Sequence, residues 1–228
     1  TGNVTDFGDM TVAKAFLMGA SSSTKGFIIG GSTASALATV VNSIETIAFS
    51  TTGNATDFGD ITTATRSGSA NTSGHAAVQN EDGFAPASLG LFAGGLVDSS
   101  IEYVNIATDG EGAMFGDLQE KTYESYGSGC STTRACFFGG QGHVTSTITT
   151  VQFIAFSTKG KATTFGDLSV NKKETAATSN VTRGLNAGGY NNQDGIEYIT
   201  IASEGNATDF GDLTLGREKL GALSSTTR

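Results

Sequence analysis

Four times in 228 residues an apolar run is followed, at one fixed distance, by Phe-Gly-Asp. The runs are "IETIAFS" from Ile44, "IEYVNIA" from Ile101, "VQFIAFS" from Val151 and "IEYITIA" from Ile196. In each case the Phe stands 14 positions beyond the first residue of the run, at Phe58, Phe115, Phe165 and Phe210. A register that does not drift implies two strands joined by a turn of fixed length. A fifth Phe-Gly-Asp, at Phe7, opens the series, so successive copies lie 51, 57, 50 and 45 residues apart. Gly30-Gly31, Gly94-Gly95, Gly139-Gly140 and Gly188-Gly189 fall one pair to each interval. Periods of this size mark a repeat architecture.

The octapeptide "GNATDFGD" occurs twice, from Gly53 and from Gly205. Its Asp-Phe-Gly is also the magnesium-binding signature of protein kinases. A kinase needs one such motif, with a glycine loop and catalytic-loop partners that this chain lacks, so the octapeptide is read as structural. Each period divides into four short segments. In one copy these are strand A in "ESYGSGCS" (124–131), strand B in "ACFFGG" (135–140), strand C in "VQFIAFS" (151–157) and strand D in "ATTFGDL" (162–168). Turn formers separate them, and capped helical periodicity is missing throughout. Strand C is apolar on both faces, which suits a sheet covered on both sides. Strand A is built from Ala, Gly, Ser and Thr, as expected where strands converge on a narrow axis. The expected fold is all-β, a β-propeller of four-stranded antiparallel blades with about 4.5 repeats. Blades are expected at 10–60, 61–117, 118–167 and 168–212, with partial blades at 1–9 and 213–228, in one propeller that is part of a larger ring.

Gly-Gly closing the second strand, with an aromatic near the end of the fourth, resembles the kelch repeat of β-propellers. Phe58 and its equivalents stand where kelch repeats commonly carry Trp. The wording "GNATDFGDLT" (205–214) resembles repeat proteins of tailed phages, marine phages and cyanophages in particular. That resemblance implies a non-enzymatic virion component (a fibre, knob or decoration module) whose partners are other virion proteins or a host-surface glycan. The alternative is a secreted or surface-attached bacterial lectin or adhesion propeller. Galactose oxidase resembles kelch propellers too, but nothing here matches its copper ligands.

Lys and Arg total 13 against 22 acidic residues, and the net charge of -9 repels nucleic acid and anionic membrane surfaces. No apolar stretch approaches the roughly 18 residues of a membrane helix. Residues 1–9 supply one strand D and residues 213–228 one strand A. They are complementary pieces of a repeat whose strands B and C are missing between them. An open edge of that kind predicts either a longer chain, the preferred reading, or strands supplied by a neighbouring subunit.

Candidate sites follow from the loops. The paired Asp residues of the motif (Asp6 with Asp9, Asp57 with Asp60, Asp209 with Asp212) have the oxygen ligands calcium prefers. The first of each pair becomes Met114 and Thr164 elsewhere, however, so a turn-capping role is preferred. Cys130 and Cys136 flank a turn and are read as two small buried thiols in preference to a disulfide. With His143 they match no zinc spacing, so no metal is expected. His75 and His143 are the only histidines, enzyme signatures are missing, and no cofactor is expected. Sequons at Asn3, Asn54, Asn71, Asn180 and Asn206 read as turn chemistry.

The second copy carries about 13 extra residues near "HAAVQNEDGFAPA" (75–87), which offers His75, Gln79, Asn80 and Phe84. The loops after Gly-Gly also vary. One holds His143; another places Tyr190, Asn191, Asn192, Gln193 and Asp194 together, an aromatic among planar hydrogen-bonding groups as sugar sites often have. These are the expected ligand-binding residues. Lys25, Arg134, Arg183 and Arg228 recur in the A–B turn, where a basic ring on the opposite rim competes with ordinary solvated side chains.

Overall fold

A computed structural model describes residues 3–33, 39–72, 89–96, 98–108, 110–124, 127–142 and 147–224. The described residues contain strands and no helix. Sheet I is β1 (Met18–Ser21), β2 (Lys25–Ile29), β3 (Ser43–Ala48) and β4 (Thr56–Asp60), antiparallel and paired in that order. Sheet II follows the same plan with β5 (Ser69–Thr72), β6 (Leu89–Ala93), β7 (Asp98–Asn105) and β8 (Ala113–Glu124). Sheet III is β9 (Gly127–Cys130), β10 (Arg134–Phe138), β12 (Thr150–Ala155) and β14 (Thr163–Asp167). Two short strands, β11 (Gln141–Gly142) and β13 (Gly160–Lys161), leave that repeat to join β8 of sheet II. Sheet IV is β15 (Ala176–Ser179), β16 (Arg183–Ala187), β17 (Gly195–Thr200) and β18 (Thr208–Asp212). β8 reaches Glu124, into the stretch expected to begin strand A, because β11 pairs with its far end.

The fixed 14-residue spacing has a structural cause. Ile44 pairs with Gly59 and Glu45 with Asp57, so Phe58 is left over between them as a β-bulge. The same step skips Phe115, Phe165 and Phe210. A bulge places two residues opposite one and re-aims the extra side chain. Here the re-aimed ring packs edge-on against an aromatic of its own sheet: Phe27 on Phe58, Tyr103 on Phe115, Phe153 on Phe165 and Tyr198 on Phe210.

Three apolar cores lie between consecutive sheets. Met18, Phe58 and Ile61 meet Phe92 and Val104; Phe115 and Leu118 meet Phe137 and Ile154; Phe165 and Leu168 meet Ile199 and Ile201. The small-residue first strands pack in succession, β1 on β5, β5 on β9 and β9 on β15. All four border one shared cavity of about 270 Å³, and Leu220 and Ala222 of the last segment border it as well.

Each sheet also clasps the strand-D end of the repeat before it. Gly53 and Ala55 donate their N–H groups to the carbonyls of Phe7 and Asp9. Gly110 and Gly112 do the same for Phe58 and Asp60, and Gly205 and Ala207 for Phe165 and Asp167. At the remaining junction β13 pairs with Gly116 and Asp117. The glycine of Phe-Gly-Asp is required by this approach. A Cβ on Gly8, Gly59, Gly116 or Gly166 would collide with the carbonyl oxygen of Gly53, Gly110, Gly160 or Gly205.

A buried acid completes the clasp. Glu45 accepts from Thr11 N–H (2.9 Å) and Oγ1 (2.7 Å), Glu102 from the N–H groups of Thr62 and Thr63, and Glu197 from Ser169 N–H. Gln152 takes the same place and accepts from Gln119 N–H at 2.7 Å. Lys14 and Lys172, both almost fully buried, form ion pairs with Glu45 and Glu197. Lys172 Nζ lies 3.1 Å from Glu197 Oε2 and also donates to Gly195 O at 3.0 Å.

Candidate functional site

The loop after Gly188-Gly189 is shaped by backbone conformation. Both glycines have positive φ (69° and 137°), and the tip residues Asn191 and Asn192 do too, at 65° and 55°. Asn tolerates that left-handed region better than most residues, which accounts for a paired Asn at the tip. Tyr190 N–H donates to Lys173 O at 2.9 Å and Gln193 N–H to Gly189 O at 3.2 Å, so the loop is tied at both ends.

The tied loop forms one wall of a polar cleft of about 370 Å³. Tyr190, Asn191 and Gln193 line this wall; Asn171, Lys173, Gln141 and Thr147 line the rest. Two successive repeats therefore share it. Tyr190 is 45% exposed, and Lys173 Nζ sits 4.5 Å from its ring centroid. The ammonium also donates to Gln141 Oε1 at 2.7 Å, which holds the two walls together. Gln193 Nε2 donates to Asn171 O at 3.4 Å, while Gln193 Oε1 is buried with no hydrogen-bond partner. An exposed ring face beside several side-chain amides is suited to a ligand with both C–H faces and hydroxyl groups.

Of the residues singled out by sequence, Tyr190, Asn191 and Gln193 come together here, whereas Asn192 and Asp194 are not among the lining residues. His143 follows β11, one strand residue from Gln141, but lies outside the described residues, as do His75, Gln79, Asn80 and Phe84. Gln141, Thr147, Asn171 and Lys173 were not visible as site residues. They sit in a neighbouring repeat or before strand A, and only the packing of sheet III beside sheet IV brings them in.

The other candidates resolve into structure. Asp6 and Asp209 accept from Gly8 and Gly211 N–H two residues on, which is the expected cap. No group of three His, Cys, Asp or Glu able to hold a metal occurs among the described residues. Cys130 and Cys136 are free and buried. Cys130 pairs with Ala135 and Cys136 with Gly129, so the two thiols point to opposite faces and join different cores. Burial raises both thiols above their usual range, Cys136 to about 12.

Lys25, Arg134 and Arg183 do not form an open basic ring. They lie over Phe58, Phe153 and Tyr198; Arg228 is outside the described residues. Asn54 and Asn206 accept from Asp9 and Asp167 N–H across sheet junctions, so these two sequon asparagines belong to the clasp. No helix among the described residues is long and apolar enough to cross a membrane. Neither a protein-family model nor a curated protein matches the chain.

Proposed function

We propose that this chain is a non-enzymatic contact module of a tailed-phage virion, built as a β-propeller, and that it binds a glycan in the cleft bounded by Tyr190 and Gln193. Four sheets of one design, with their first strands around one cavity, support the propeller reading. The observation that carries the binding reading is the exposed ring of Tyr190 in a cleft lined by the side-chain amides of Gln141, Asn171, Asn191 and Gln193. A pyranose presents a C–H face to such a ring and hydroxyl groups to such amides. The polar, shallow character of the cleft suits a saccharide better than an apolar cofactor. The buried acids Glu45 and Glu197 hold loops through hydrogen bonds and are not poised for proton transfer.

The test is a glycan array probed with the full chain, followed by titration of any hit. Tyr190→Ala is expected to weaken binding about tenfold, the value of a lost aromatic contact, and Gln193→Ala to weaken it similarly. No hit on the array, or a hit insensitive to both substitutions, would reject the cleft.

A further inference from the structure

The end of sheet IV carries a fifth copy of the clasp, of which one half is present among the described residues. At the four other junctions the Phe-Gly-Asp carbonyls receive two N–H groups from a glycine turn, and the loop that follows receives a carboxylate or carboxamide. At β18 and residues 213–217 the same donors and acceptors are present and exposed. A Cβ on Gly211 would meet nothing within 4 Å, whereas at its four equivalents it would strike a carbonyl. Phe210 is 54% exposed; Phe58, Phe115 and Phe165 are 3%, 2% and 3% exposed. Thr214 stands where Thr11 meets Glu45, and Arg217 stands where Lys14 and Lys172 meet Glu45 and Glu197.

The local sequence makes the equivalence close. Residues 206–217, "NATDFGDLTLGR", match residues 3–14, "NVTDFGDMTVAK", identically at seven of twelve positions. The remaining five are Ala for Val, Leu for Met, Leu for Val, Gly for Ala and Arg for Lys. Beyond this segment the chain runs where a first strand would lie: Leu220 and Ala222 border the shared cavity, and Ser224 Oγ donates to Ser179 O at 2.7 Å. On the far side residues 7–9 already supply a strand-D end, held by Gly53 and Ala55.

We propose that residues 210–217 form a docking surface for one kind of partner, an antiparallel β-hairpin with the B–C pattern of this repeat. Its second strand opens with an apolar residue followed by Glu. The Glu accepts from Thr214 N–H and pairs with Arg217, and the turn after that strand donates to the carbonyls of Phe210 and Asp212. The apolar face of the hairpin covers Phe210 and the cleft beside it that Leu185 and Arg183 line. Strand addition at an open edge supplies main-chain hydrogen bonds, and the buried acid supplies selectivity.

The chain has no Trp, so Phe210→Trp in the full chain gives a single reporter at the surface. The probe is a synthetic peptide of residues 180–207, which holds a B–C hairpin and its glycine turn. A saturable blue shift of the Trp emission is expected. Glu197→Ala in the peptide, or Arg217→Ala in the chain, should weaken binding at least tenfold. Glu197→Gln should weaken it less, since Gln152 fills the same role.

A second form, with the peptide joined after Arg228, covers the case of weak binding in trans: a blue shift and a raised Tm support the proposal. No shift in either form overturns it, as does binding that ignores Glu197→Ala. Emission already blue without peptide, rising with a doubling of mass at high concentration, would show a second copy on the surface and also overturn it.

Discussion

At the residue scale the informative comparison is among Glu45, Glu102, Gln152 and Glu197, four side chains in one structural position, each at most 4% exposed. All four accept a backbone N–H from the loop of the preceding repeat, so the shared requirement is an acceptor, and charge is optional. Where Lys follows in the loop, as Lys14 and Lys172, the pair is ionic and buried. Removing one partner of such a pair leaves an uncompensated charge, a cost of about 3–5 kcal/mol. Glu45→Gln should therefore destabilise the protein by that order in urea unfolding, despite preserving the acceptor. Adding Lys14→Met should restore most of the loss.

The carboxyls titrate accordingly. Burial acts to raise the Glu45 and Glu197 values, but hydrogen bonds and the nearby ammonium outweigh it, so both lie below the usual carboxylate range. Their stabilisation is complete above the unfolded value of about 4.3 and is lost as pH falls through the lower folded value. Tm is expected to hold steady from pH 7 to about 5 and to fall below about 4. The fall should be shallower in the Lys14→Met/Glu45→Gln protein.

At the element scale the bulge explains what the sequence displays and what it hides. The third and fourth strands of each repeat and their order were legible because a bulge fixes the distance from Ile44 to Phe58 and from each equivalent run to its Phe, whereas the extension of β8 to Glu124 and the short strands β11 and β13 were not. The Gly-Gly pairs were legible as punctuation, and their positive φ values account for them. The acid in "IETI" and "IEYI" was not legible, since alternation reads a polar residue in a strand as facing water. Its recurrence at one position, with Lys five residues after Phe-Gly-Asp in two copies, was the available signal. The walls of the cleft at Gln141 and Asn171 were hidden for another reason: no local pattern reports which loops of neighbouring repeats meet.

The same element yields a paired test. Gly166→Ala drives a Cβ into the Gly205 carbonyl, backbone against backbone, and should cost about 3 kcal/mol. Gly211→Ala meets open space and only a positive φ of 135°, so about 1 kcal/mol is expected. Chemical denaturation of the two variants side by side decides it, and equal losses would mean the close approach is not what demands glycine.

At the scale of the whole molecule, stability is distributed along a row of sheets whose main contacts, among the described residues, run between neighbours, as in other repeat proteins. Sheets II and III are covered on both faces by apolar cores, whereas sheet IV has a core on one face and an exposed Phe210 on the other. Opening should therefore begin at sheet IV. Amides of β17 and β18 carry the same ladder of hydrogen bonds as those of β12 and β14, so intrinsic strand pairing does not distinguish them. What differs is burial: Phe165 is locked between sheets and Phe210 is not. Phe165→Ala should cost about 3–5 kcal/mol as a core truncation, and Phe210→Ala less than about 1 kcal/mol. Native-state hydrogen exchange should show β6 and β10 slowest, with β18 at least tenfold faster than β14, about 1.4 kcal/mol of local stability. Uniform protection across the four sheets would mean that the molecule opens as one unit, and that its exposed edge is already covered in solution.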